Sequence, residues 1–79
     1  MTTLKEMRIS SVGRITLRRL EHCRNGVNEY EYVTNLQVED KPGKFGYYFG
    51  HHYDNLTEAH FDFLKRTTKY REKRFLYEV

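Results

Sequence analysis

In the front two thirds of the chain, short runs place large apolar residues at alternate positions, as in Ile15 and Leu17 or Leu36 and Val38, and two short turn signals punctuate the runs. A period of two marks strands whose alternate side chains face a common core. Asn25-Gly26 suits the two positive-φ positions of a type I′ turn, a tight hairpin connection. Pairing outward from it sets Cys23 opposite Asn28, Arg19 opposite Tyr32, Leu17 opposite Thr34 and Ile15 opposite Leu36. Pro42-Gly43 supplies the second turn, with Pro preset for the first central position and Gly for the second. Outward from that turn Val38 falls opposite Tyr47, Leu36 opposite Phe49 and Tyr32 opposite Tyr53. Both registers place Ile15, Leu17, Tyr32, Leu36, Val38, Tyr47, Phe49 and Tyr53 on one face of a three-stranded meander. The agreement carries weight, because a one-residue slip inverts a strand's faces. Upstream, Met7 and Ile9 alternate within Leu4 to Val12. That segment reads as a further strand or as an extension of the first, with Gly13 as a bulge or a tight turn.

The period changes after Asp54. Asn55-Leu56-Thr57-Glu58 has the form of a capping box, and a helix is expected from there to about Glu72. Leu56, Ala59, His60, Phe63, Thr67 and Tyr70 fall on one helical stripe suited to the sheet's apolar face. Glu58, Asp62, Lys65, Lys69 and Lys73 fall opposite, with Arg66 at the edge, and Phe75, Tyr77 and Val79 alternate in the manner of a short closing strand. The expected fold is α+β: one domain over residues 1–79, an antiparallel β-meander of three to four strands packed by a single C-terminal helix.

A single helix covers one face of such a sheet and leaves the other to water, a second subunit or a ligand. The registers assign to that open face Arg14, Thr16, Arg18, Leu20, His22 and Arg24, then Val27, Val33 and Gln37, then Tyr48 and His52. Arg14 is expected near Tyr48 and Arg18 near His52. Cations beside rings suit nucleic acid, the cations holding phosphate and the rings stacking bases.

Composition changes this picture in three ways. At 79 residues with seven Tyr and five Phe, the chain has the apolar content for one small core. The formal charge of +3 and pI near 9.1 understate an uneven distribution. Lys65, Arg66, Lys69, Arg71, Lys73 and Arg74 face only Glu72 as a local acid, a density that suits a phosphate backbone or an acidic protein surface. Cys23 is the only cysteine, which excludes an internal disulfide and a cysteine zinc site. Adjacent His51 and His52 point to opposite strand faces, so at most one can join His60; no metal or cofactor is expected. Neither a signal peptide nor a membrane span is apparent, and a cytoplasmic protein is expected. Lys44-Phe45-Gly46-Tyr47-Tyr48-Phe49 departs in its glycine spacing from the RNA-recognition motif, and no helix separates the early strands, so that family is excluded.

The run Tyr48-Phe49-Gly50-His51-His52-Tyr53-Asp54-Asn55-Leu56-Thr57-Glu58-Ala59, continued by Asp62-Phe63-Leu64-Lys65-Arg66, resembles small accessory proteins of tailed bacteriophages, over about a quarter of the chain. The resemblance implies a host-takeover or counter-defence factor that binds rather than catalyses, such as an inhibitor of an RNA-processing toxin, acting in the host cytoplasm. The residues and the resemblance together predict a non-enzymatic nucleic-acid-binding protein with RNA favoured. Arg14, Arg18, Lys65, Arg66, Lys69 and Lys73 would hold phosphate, while Tyr48 and His52 would meet bases. The alternative is an antitoxin-like inhibitor of an acidic host protein, or a homodimer, anchored by Leu20, Val33 and Tyr48. A third reading is a metal-independent ribonuclease using His52 or His60.

Overall fold

The computed structural model describes residues 1–77, with side chains through Tyr70. Four antiparallel strands, β1 (Thr2–Arg8), β2 (Gly13–Arg24), β3 (Val27–Lys41) and β4 (Lys44–Tyr53), lie side by side in chain order. Helix α1 (Leu56–Tyr77) crosses one face and packs on β2, β3 and β4. This is the α+β meander with one C-terminal helix that the alternation predicts.

The β2–β3 hairpin forms as its turn dictates. Asn25 and Gly26 take φ of 51° and 75°, and pairing runs unbroken from Arg24↔Val27 to Gly13↔Val38. All four expected pairs are present. The β1 segment is a separate strand, with Met7 opposite Ile15 and Lys5 opposite Leu17; the register shifts at Leu4.

The β3–β4 hairpin departs from its expected register in the middle while keeping both ends. Gly43 has φ of 78° and Lys41 pairs with Lys44. The next pair is Glu39↔Phe45, so Asp40 is an extra residue on β3. Leu36 therefore faces Tyr48 and Val38 faces Gly46, not Phe49 and Tyr47. A second irregularity sets Phe49 and Gly50 against the single Asn35, and pairing then resumes at Thr34↔His51 and Tyr32↔Tyr53. Because each residue of slip exchanges the faces, Tyr47 moves to the open face and Tyr48 to the helix face. Both assignments reverse the expected ones.

Ile15, Leu17, Ala59 and Phe63 form the buried centre, bordered by Met7, Ile9, Tyr32, Leu36 and Tyr53. Asn55 caps α1, its Oδ1 accepting from the amides of Thr57 at 2.7 Å and Glu58 at 3.3 Å. Of the expected helical stripe, Ala59, Phe63 and Thr67 are buried, whereas Leu56 and Tyr70 are exposed at its ends. Asp62 turns toward the sheet rather than away from it, for reasons of bonding given below. The helix also passes Glu72 and continues to Tyr77, since no Gly or Pro follows to stop it. Phe75 and Tyr77 are thus helical and form no closing strand; Val79 lies outside the described residues. No helix among the described residues is long and apolar enough to cross a membrane.

Candidate functional site

Several charged groups of the open face find partners within it, although the buried Nε of Arg18 has no hydrogen-bond partner among the described residues. Arg14 pairs with Glu6 at 3.3 Å and lies 5.9 Å over the ring of Phe45. Arg18 sits 3.9 Å over Tyr47 and reaches the Met1 sulfur, while Gln37 donates to the Tyr47 hydroxyl at 3.0 Å. Underneath, Thr16 donates to Asn35 Oδ1 at 2.8 Å, and Val33 is only 4% exposed. His52 and His22 bond the two oxygens of Glu31 at 2.6 and 3.0 Å. Those bonds, His52 first, hold the Glu31 carboxyl below its usual range. A shallow depression of about 260 Å³ remains, bounded in part by Arg18, Leu20, Val33, Tyr47 and His52. Arg18 and His52 thus meet as expected, but Tyr47 stands where Tyr48 was expected.

Tyr48 instead lies across Gly46 on the helix side, its hydroxyl donating to Asp40 at 2.8 Å. That bond and the nearby carboxylate push the phenol above its ordinary range. The crossing needs glycine: a Cβ on Gly46 would stand 2.5 Å from Asp40 Oδ2 and 2.7 Å from the Tyr48 hydroxyl.

The second β4 irregularity builds a further surface, on the helix side of the sheet. Phe49 adopts φ of 54° although Gly50 follows immediately, and its ring is part of a residue 75% exposed. A bulky side chain in the left-handed region is a rare and strained arrangement. Arg66 Nη2 holds the Phe49 carbonyl at 2.6 Å and also touches His51 Nδ1. Arg66 Nε in turn pairs with Asp62 at 3.2 Å, with both side chains largely buried. Asp62 accepts from the fully buried Thr34 hydroxyl and contacts His51 Nδ1 at 3.1 Å. Burial alone would raise the Asp62 pKa, but the Thr34 and His51 bonds and the Arg66 charge outweigh it, and the carboxyl sits below its ordinary value. The Tyr53 phenol is displaced upward, first by burial and then by Asp62.

Between β4 and α1 this network props open a cleft of about 200 Å³ lined by Ile15, Leu36, Phe49, Arg66, Lys69 and Tyr70. Lys69 also borders a hollow on the outer side of α1 with Phe61, Leu64, Lys65 and Thr68. Phe61 is 70% exposed. Lys65 and Lys69 therefore form a ridge: Lys69 stands between the exposed rings of Phe49 and Phe61, and Lys65 one turn earlier shares only the Phe61 side. Neither lysine makes an ion pair with another described residue.

The expected site residues divide accordingly. Lys65 and Lys69 stand together on the ridge; Arg66 is turned inward and holds structure; Lys73 continues the helical line, with its side chain outside the described residues. Leu20, Val33 and Tyr48 do not converge, since Val33 is buried and Tyr48 is on the opposite face. His52 and His60 are also separated, one on Glu31 of the open face and the other beside Lys5 at 2.8 Å under the helix. Phe49, Phe61 and Asp62 were not among the expected site residues. For Asp62 a signal existed: Thr34 faces the core opposite Leu17 and needs a polar partner there. Compared with protein-family models, curated protein sequences and solved structures, the chain matches none.

Proposed function

We propose that this chain is a non-enzymatic nucleic-acid-binding protein that favours RNA, and that it binds through the α1 flank rather than the open sheet face. The observation that carries this reading is Lys69 set between the exposed rings of Phe49 and Phe61, with Lys65 one turn earlier beside Phe61. Cations on a ridge suit the phosphates of a strand, and flanking rings suit its unstacked bases. Single-stranded RNA meets both requirements; a duplex hides its bases. The resemblance to bacteriophage accessory proteins extends the proposal to an inhibitor of a host RNA-processing or defence factor in the host cytoplasm.

Fluorescence anisotropy with labelled single-stranded RNA, duplex RNA and duplex DNA across a salt series tests this. Replacing Lys65 and Lys69 by Ala should lower affinity for every sequence and reduce the salt slope by about 1.4, at about 0.7 per phosphate on a single strand. Absence of binding by the unaltered chain at low salt refutes the proposal. One observation favours a second reading: Phe61 and Leu64 are exposed beside Lys65, as an apolar anchor for an acidic protein partner would be. In that case Phe61→Glu abolishes binding to the partner while RNA is ignored.

A further inference from the structure

Resting on the RNA-binding reading, we infer that the cleft between β4 and α1 is a stacking slot for one unpaired nucleobase, with Lys69 at its mouth for the adjoining phosphate. The floor is apolar, made by Ile15 and Leu36; Phe49 and Tyr70 supply aromatic walls. A volume of about 200 Å³ falls below the range of about 300–1,000 Å³ common for small-molecule sites. One planar ring system fits such a slot better than a larger organic ligand. The cationic rim matches a nucleotide's charge, and Lys65, one turn earlier on α1, continues the track toward the next phosphate.

Phe49 is the strongest pointer. Its φ of 54° would suit a glycine, and Gly50 is the next residue, yet the left-handed position belongs to the aromatic residue. The strained backbone is clamped by Arg66 through the Phe49 carbonyl, and Arg66 is itself held by Asp62. Such strain persists where surrounding contacts over-determine it, and here it displays a ring that the core does not use. A backbone clamped before the ligand arrives limits the freedom lost on stacking to that of the side chain itself.

The test compares an intact single-stranded RNA carrying 2-aminopurine with an abasic RNA of the same length, against the unaltered chain, Phe49→Gly and Lys69→Ala. The unaltered chain should quench the 2-aminopurine emission and prefer the intact strand. Phe49→Gly should weaken binding to intact RNA about 5- to 150-fold, the range for losing one stacked base. It should leave abasic RNA unaffected, with the melting temperature unchanged or raised because glycine relieves the backbone. Lys69→Ala should weaken both RNAs alike. Equal affinity of the unaltered chain for the two RNAs overturns the slot and leaves the general RNA reading standing, as does a Phe49→Gly loss shared by both. A lowered melting temperature in Phe49→Gly makes the ring a structural element and also overturns the slot. Failure of the unaltered chain to bind either RNA overturns both readings.

Discussion

The two hairpins that share β3 are built on opposite terms. In β2–β3 the ladder is unbroken from turn to end, and the half remote from the turn supplies Ile15 and Leu17 to the core. In β3–β4 the ladder slips at Asp40 and recovers at Phe49 and Gly50. Between those points Phe45 and Tyr47 are displayed on one face and Tyr48 on the other, all of them exposed. Where the continuous ladder lies under the helix it delivers burial, while its turn end, residues 21–30, stands exposed; the interrupted ladder delivers display. Paired irregularities let a sheet re-aim a few side chains locally without disturbing the strand ends that the helix packs against.

This division predicts different responses to substitution. The largest expected effect lies in the continuous hairpin: Leu17→Ala should cost about 2–4 kcal/mol through lost burial and a residual cavity. Tyr47→Ala, in the interrupted hairpin, should stay within about 1 kcal/mol by urea denaturation. Comparable losses at the two sites would abolish the distinction. Next comes the clamp joining β3, β4 and α1. Asp62→Ala should cost about 2 kcal/mol, because the buried Thr34 hydroxyl loses its acceptor. The Asp62 carboxyl is more acidic folded than unfolded, so its contribution is complete above the ordinary aspartate range and fades as pH falls through the folded value. Denaturation profiles should therefore decline below about pH 4, and the variant should lack that part of the decline. A smaller effect than at the clamp, about 1 kcal/mol, is expected of Gly46→Ala, which forces Tyr48 away from Asp40. Its clearer signature is spectroscopic: the Tyr48 phenol, raised by Asp40, should titrate closer to its ordinary value near 10. An unchanged titration would show that the tyrosine does not need the gap.

The contrast also explains what could be read from the residues alone. Along β2 and β3 apolar side chains of one parity meet polar ones of the other, so the Asn25-Gly26 turn and the alternation agree on a single register. Over Phe45, Tyr47, Tyr48 and Phe49 rings occupy both parities, and no face preference opposes a slip. The two slips cancel, so the Pro42-Gly43 turn and the Tyr32↔Tyr53 pair both appear where an unbroken hairpin would have them. The cap at Asn55 and the Lys65–Lys69 ridge were visible because capping and helical periodicity are local. The inward turn of Asp62 was not, because charge alone assigns it to water. Only the unpartnered Thr34 on the core face argues otherwise. The extension of α1 to Tyr77 follows from the missing stop signal after Glu72, which the alternation of Phe75, Tyr77 and Val79 had masked.

The irregularities at Leu4 and at Phe49-Gly50 share one further property: they fall on β1 and β4, the two outermost strands. An exposed strand margin is a template on which other chains can add, and repeated addition yields ribbons and aggregates. On each margin the backbone is kinked part-way along, so an incoming straight strand loses register after a few bonds. The feature that lifts Phe49 into solvent thereby also guards a small, aromatic-rich sheet against growing by its edges.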